Sequence, residues 1–177
     1  LILQSPGSLE QLMQYLSSQP AQSEYWQWLM LSDHPSAIAL FFEHCETEPS
    51  HLAVAALQGT GGCIEQLLSC FQKAPLASLA AQAIEAILAT PVNWQPSLVD
   101  AATGATVEGA ASVPIAPDFK SNSQQALLQG QLKSPYTLAL WLPDQHPSLQ
   151  RLGWSHLGQS VGQVFPDLSR HWTHSQW

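Results

Sequence analysis

His44, Cys45, Glu46, Glu48 and His51 bring five ligand-type side chains into one short stretch, the donor types that zinc and its neighbours accept. The spacing works against convergence. Cys45 belongs to an apolar helical pattern and is expected to face a core, while His44 lies about 100° around the same helix. Glu46 and Glu48 fall near the following turn. The cluster is therefore read as a solvated helix end with acidic residues on its surface, and no metal is assigned to it. His171 and His174 form a second pair that would share a helix face, but no carboxylate or cysteine follows in the next turn. With Trp172 and Trp177 beside them, packing of an aromatic tail onto the domain is expected instead.

Other chemistries find less support. No Gly-x-Ser-x-Gly elbow occurs, and neither Cys63 nor Cys70 has a base beside it in sequence. Gly59-Thr60-Gly61-Gly62 lacks the lysine of a phosphate-binding loop. It sits between two helical patterns and is read as a connector whose glycines end one helix and release the next. No catalytic residue and no cofactor are expected, so the chain is read as a non-enzyme.

Composition narrows the partners. Among 177 residues only 5 are Lys or Arg against 13 Asp or Glu, for a formal charge of −8, and the first 72 positions hold no Lys or Arg. Nucleic-acid binding, which relies on cationic contacts to phosphate, is disfavoured. The 45% apolar fraction suffices for a core. Three cysteines without a Cys-x-x-Cys spacing suggest reduced thiols in a cytoplasmic protein. No apolar run approaches the ~18 residues of a membrane span. The chain begins at Leu1 without Met, the form of a fragment or trimmed product, in which an upstream signal would be invisible.

The elements that must position these residues are helical. Apolar quartets at i, i+3, i+4 and i+7 recur as Leu9, Leu12, Met13 and Leu16, as Ile38, Phe41, Phe42 and Cys45, and as Ile64, Leu67, Leu68 and Phe71. Leu98, Ala101, Ala102 and Ala105 make a weaker fourth. Pro6-Gly7-Ser8, His34-Pro35-Ser36, Pro96-Ser97 and His146-Pro147-Ser148 read as helix entries in which Ser accepts an orphan backbone N–H.

The second and third quartets are offset by 26 residues (64 − 38), and the same offset carries Pro49 onto Pro75. Each unit then reads as a quartet helix, a turn ending in Pro, and an Ala-rich second helix, Ser50 to Gln58 in one and Leu76 to Ala89 in the other. Stacked helical hairpins are the expected product. Upstream, Glu24 to Leu31 is dense in large apolar groups and fits a partner helix that anchors the first hairpin. From Thr90 to Lys120, Pro and Gly cut the chain into pieces, and a long irregular loop is expected, with strand around Thr106, Val107 and Val113. Helix is expected again over Ser121–Gly130 and Pro135–Leu142 and after Pro147, where Gly153 weakens the pattern around Leu149 and Leu152. Val164 to Trp177 reads as an aromatic tail.

Ala55-Ala56-Leu57-Gln58-Gly59-Thr60-Gly61-Gly62, followed by Ile64, Leu67 and Leu68, resembles the short-repeat class of HEAT-like proteins, in which Ala-Leu, a glycine turn and an apolar helix join consecutive hairpins. Pro75-Leu76-Ala77-Ser78-Leu79-Ala80-Ala81-Gln82-Ala83-Ile84 is similar to a segment of an uncharacterised proteobacterial family of such proteins. The resemblance covers roughly a fifth of the chain. The class often carries Asp where Gly62 stands and Arg where Ser78 stands, so the ladder those residues form is missing. What the resemblance implies is an all-α, irregular α-α superhelix of stacked HEAT-like hairpins and a place near type VI secretion components. Some short-repeat relatives act on chromophores, which implies a small-molecule-binding accessory domain as a competing role.

The organisation expected is hairpins over 1–90, an irregular loop over 91–120 and C-terminal helices with the tail over 121–177, packed as one domain with 1–90. The function expected is non-catalytic protein binding. The acidic residues Glu10, Glu24, Asp33, Glu43, Glu46, Glu48 and Glu65 would favour a partner with a basic patch, met by Glu43, Glu46 and Glu48 with Trp26 and Trp28 as apolar anchors. A metal-binding enzyme or sensor built on the histidines is the alternative from another class.

Overall fold

The computed structural model describes residues 6–18, 23–32, 34–95, 98–99, 102–104, 106–107, 110–112 and 125–161, and over these the chain is mostly helical. The aromatic tail from Val164, with His171, His174, Trp172 and Trp177, lies outside the described residues, as do Asp33, Pro96, Ser97 and Val113.

Helix α1 (Pro6–Ser18) buries Leu9 and Leu16 and half-buries Leu12 and Met13, so the first quartet is its inward stripe. It starts at Pro6, which places Ser8 inside the helix. Helix α2 (Ser23–Trp26) is short and tightens at once into a 3₁₀ turn, Gln27–Leu31, whose Leu29, Met30 and Leu31 are buried. Helix α3 (Pro35–His44) buries the whole second quartet: Ile38, Phe41, Phe42 and Cys45. Its cap corrects the expectation that serine would do this. The Nδ1 of His34 accepts the Ser36 N–H at 3.3 Å. After a turn, Pro49 opens a 3₁₀ run, Pro49–Leu57, much longer than the three or four residues such helices usually reach.

Helix α4 (Gly61–Ser69) is capped by Thr60, whose hydroxyl accepts the Cys63 N–H at 3.3 Å. Ile64, Leu67 and Phe71 are buried and Leu68 is half-buried. A 3₁₀ turn, Cys70–Gln72, leads into α5 (Ala74–Leu88), with Pro75 in its first turn. Ala77, Ala80, Ala81 and Ala83 are buried with Leu76, Ile84 and Ile87. These small side chains let α5 lie close along the Pro49–Leu57 run, against which it packs. The 26-residue offset relates the starts of α3 and α4, Pro35 and Gly61, and each second member carries its proline in its first turn, Pro49 opening the 3₁₀ run and Pro75 following Ala74 in α5.

Two expectations about the middle of the chain need correction. After Pro91 the strand expected at Thr106 and Val107 is present, but the described residues around it are less irregular than expected and form further paired strands. Strand β1 (Asn93–Gln95) pairs antiparallel with β4 (Ala110–Ser112), and β2 (Leu98–Val99) with β3 (Thr106–Val107), as two separate two-stranded sheets. Of the weak fourth quartet, Leu98 lies in β2 and Ala102 in a turn, where alanines and Gly104 offer little surface for a helix to bury, while Ala101 and Ala105 lie outside the described residues. Trp94 ties the β1–β4 pair to the body through Phe71, ring centroids 5.8 Å apart.

Likewise the helix expected over Ser121–Gly130 is replaced, where described, by a hairpin of β5 (Leu127–Leu128) and β6 (Gln131–Leu132). Its turn residues Gln129 and Gly130 both have positive φ, 53° and 69°, the form that matches strand twist. The turn docks on the end of α5: Gln129 N–H donates to Ala86 O and Gly130 N–H to Ile87 O, at 2.9 and 2.8 Å. Last-turn carbonyls that a helix leaves unpaired are satisfied this way.

The hairpin also closes the end of the Pro49–Leu57 run. Leu127 N–H donates to Gly59 O at 2.8 Å, and Lys133 Nζ donates to the Leu57 carbonyl. One hairpin thus clasps the C-terminal ends of both second elements. Helix α6 (Pro135–Trp141) starts from a reciprocal cap between Ser134 and Thr137 and buries Leu138 and Trp141. Helix α7 (Pro147–Val161) buries Leu149, Leu152 and Leu157. Gly153 belongs inside it, since a Cβ there would lie 2.1 Å from Leu142. From Leu9 to Leu157 the buried apolar side chains form one cluster.

Candidate functional site

The end of α3 gathers most of the residues that drew attention in the sequence. The carbonyl of His44 accepts Thr47 N–H, Glu48 N–H and Thr47 Oγ1 at 2.9, 3.1 and 2.9 Å, and these bonds fold the chain back sharply. Glu48 O then accepts His51 N–H at 3.1 Å, at the start of the 3₁₀ run. The reversal puts His51 opposite His44, with Nε2 of His44 and Nδ1 of His51 3.2 Å apart.

His44 is not the solvated residue its helical position suggested. It is only 7% exposed, and its ring lies flat on the indole of Trp26, centroids 4.1 Å apart and planes 2° from parallel. Burial lowers its pKa, the neighbouring His51 lowers it further, and Glu48 opposes both. His51 is lowered by burial as well, again against Glu48. Both rings are thus biased toward the neutral form, which can share one hydrogen between two nitrogens.

Around the pair, Glu43, Glu46 and Glu48 are exposed. Glu46 pairs with Lys73, joining the turn after α3 to the start of α5. Both partners are about half exposed, so the bridge adds little to stability. Trp28 is half-buried against the core, and Trp26 is buried. Of the five residues expected to meet a partner, the structure therefore displays the three glutamates, offers Trp28 in part, and commits Trp26 to packing. A shallow cleft of about 300 Å³ opens beside them, bounded by Leu16 and Ser17 of α1, Trp26, and Leu40, Glu43 and His44 of α3.

Among the described residues, no three His, Cys, Asp or Glu side chains are placed to hold a metal. Cys45 fulfils its expected role and is fully buried. The thiols are poor nucleophiles where they stand. Burial pushes Cys63 up to about 12 and Cys70 up to about 11, and raises Cys45 as well. Cys63 Sγ donates to Ala55 O and Cys70 Sγ to Gln66 O.

The histidine pair escaped the sequence reading because its cover comes from another element. A histidine on each side of a tight turn, next to a Trp-rich segment that must pack on the same hairpin, was the available signal.

No protein-family model, curated protein or solved structure matches the chain. No helix among the described residues is long and apolar enough to cross a membrane.

Proposed function

We propose that this chain is a non-catalytic protein-binding scaffold, a stack of HEAT-like helical hairpins whose acidic end receives a basic patch on its partner. The observation that carries the reading is the display of Glu43, Glu46 and Glu48 at one helix end. Lys73, the first cation in the chain, already meets one of them. Complementary charge of this kind steers encounter and fixes register. The half-buried Trp28 supplies an apolar group for the same partner.

The 26-residue recurrence supports the scaffold part of the reading, because hairpins of fixed length repeat a surface along with a core. Capture of partners from lysate on the immobilised full chain tests it, with the charge-reversed variant Glu43→Lys/Glu46→Lys/Glu48→Lys as comparison. The reading expects basic proteins retained by the parent chain and lost from the variant. An identical retained set on both would contradict it.

A further inference from the structure

The His44–His51 pair is a candidate for more than packing. Two imidazoles 3.2 Å apart can be joined by one hydrogen only while at least one facing nitrogen keeps its lone pair. His44 also stacks on Trp26, so this single contact joins α2 to the end of α3 and, through His51, to the start of the 3₁₀ run. Three elements meet at one titratable point.

We propose that this pair is a pH-operated latch, which holds α2 on the end of α3 at neutral pH and releases it when both rings are protonated. The first proton does not open the latch. An imidazolium can donate to a neutral imidazole, and the indole face attracts one cation. The second proton leaves two N–H groups facing each other, with two positive charges at hydrogen-bond distance and one ring almost out of water.

Among the described residues, two carboxylates bear on the pair. Glu48, in the turn, favours the protonated rings, and Glu43 lines the cleft beside His44. Helix α2 faces the pair with the indole of Trp26, and α1 reaches the same cleft with Leu16 and Ser17. None of these last three titrates.

The direction follows from linkage. Both rings hold their protons less tightly in the fold than in the unfolded chain. Their contribution to stability is complete above the ordinary histidine value of 6.5 and is lost as pH falls through the lower, folded values. The latch is closed at neutral pH and opens in mild acid.

Amide hydrogen exchange on the full chain, corrected for the intrinsic effect of pH, reads the release directly. Between about pH 7.5 and about pH 5, protection over Tyr25–Leu31 is expected to fall roughly tenfold while α5 keeps its own. In His51→Asn, whose amide keeps a polar atom near the Nδ1 position but takes no proton, the fall disappears. Unchanged protection of Tyr25–Leu31 in the parent chain, or the same fall in His51→Asn, overturns the proposal. If that variant does not fold, NMR titration of the two histidines in the parent chain decides. Coupled steps below about 6.5 support the latch, and independent titration at the solvent value overturns it.

Discussion

The two units, Pro35–Leu57 and Gly61–Leu88, share an offset and an order of elements but are held together differently. In the second, a 15-residue α-helix lays a stripe of buried alanines along the Pro49–Leu57 run. In the first, the second member is a nine-residue 3₁₀ run between α5 and Gln27–Leu31, with polar groups at both ends. His51 lies in its first turn, and the buried Gln58 follows it, donating to Ser32 O at 3.3 Å. A duplicated apolar pattern fixes where helices start and which side faces in. The flanking residues decide whether a unit is inert or carries groups that can respond to their surroundings.

The sharpest contrast is at the two ends that the β5–β6 hairpin closes. Both end in a residue with positive φ, Gly59 at 63° and Ala89 at 52°. At Gly59 there is no room for a side chain, since a Cβ would lie 2.1 Å from Leu127 O. Gly59→Ala therefore has to shift the hairpin as well as bear a left-handed alanine, and a loss of at least about 2 kcal/mol is expected. Thermal unfolding would show it as a Tm lower by about 5 °C or more. A Tm within about 1 °C of the parent would mean the hairpin clasp is not needed.

At Ala89 the effect is smaller and of opposite sign. Ala89→Gly relieves a strained α-helix end and should raise stability by about 0.5 kcal/mol once the greater freedom of the unfolded chain is counted. Urea unfolding with an unchanged m-value measures it. Destabilisation would show that the methyl group, close to Gly130, matters more than the backbone strain.

What the sequence disclosed follows the same division. Ile38, Phe41, Phe42 and Cys45 were readable because each needs only its own helix to be recognised as inward. Glu43 was readable as exposed for the same reason, and Glu46 and Glu48 from their place in the turn that follows. The strands at Leu98–Val99 and Leu127–Leu128 were not, since two-residue strands show no period and their pairing partners are set by the turn between them. Gln129-Gly130 was a usable hairpin signal masked by the leucines before it. Burial of His44 depended on Trp26, which local spacing cannot place.

The proposed binding role is tested most directly by the salt dependence of affinity for a captured partner, measured by calorimetry on the full chain and on the charge-reversed variant. The account predicts an affinity for the parent chain that falls steeply as salt rises from about 0.05 to about 0.3 M, and weak, salt-insensitive binding by the variant. Equal affinities for the two proteins, unchanged across that range, would contradict it.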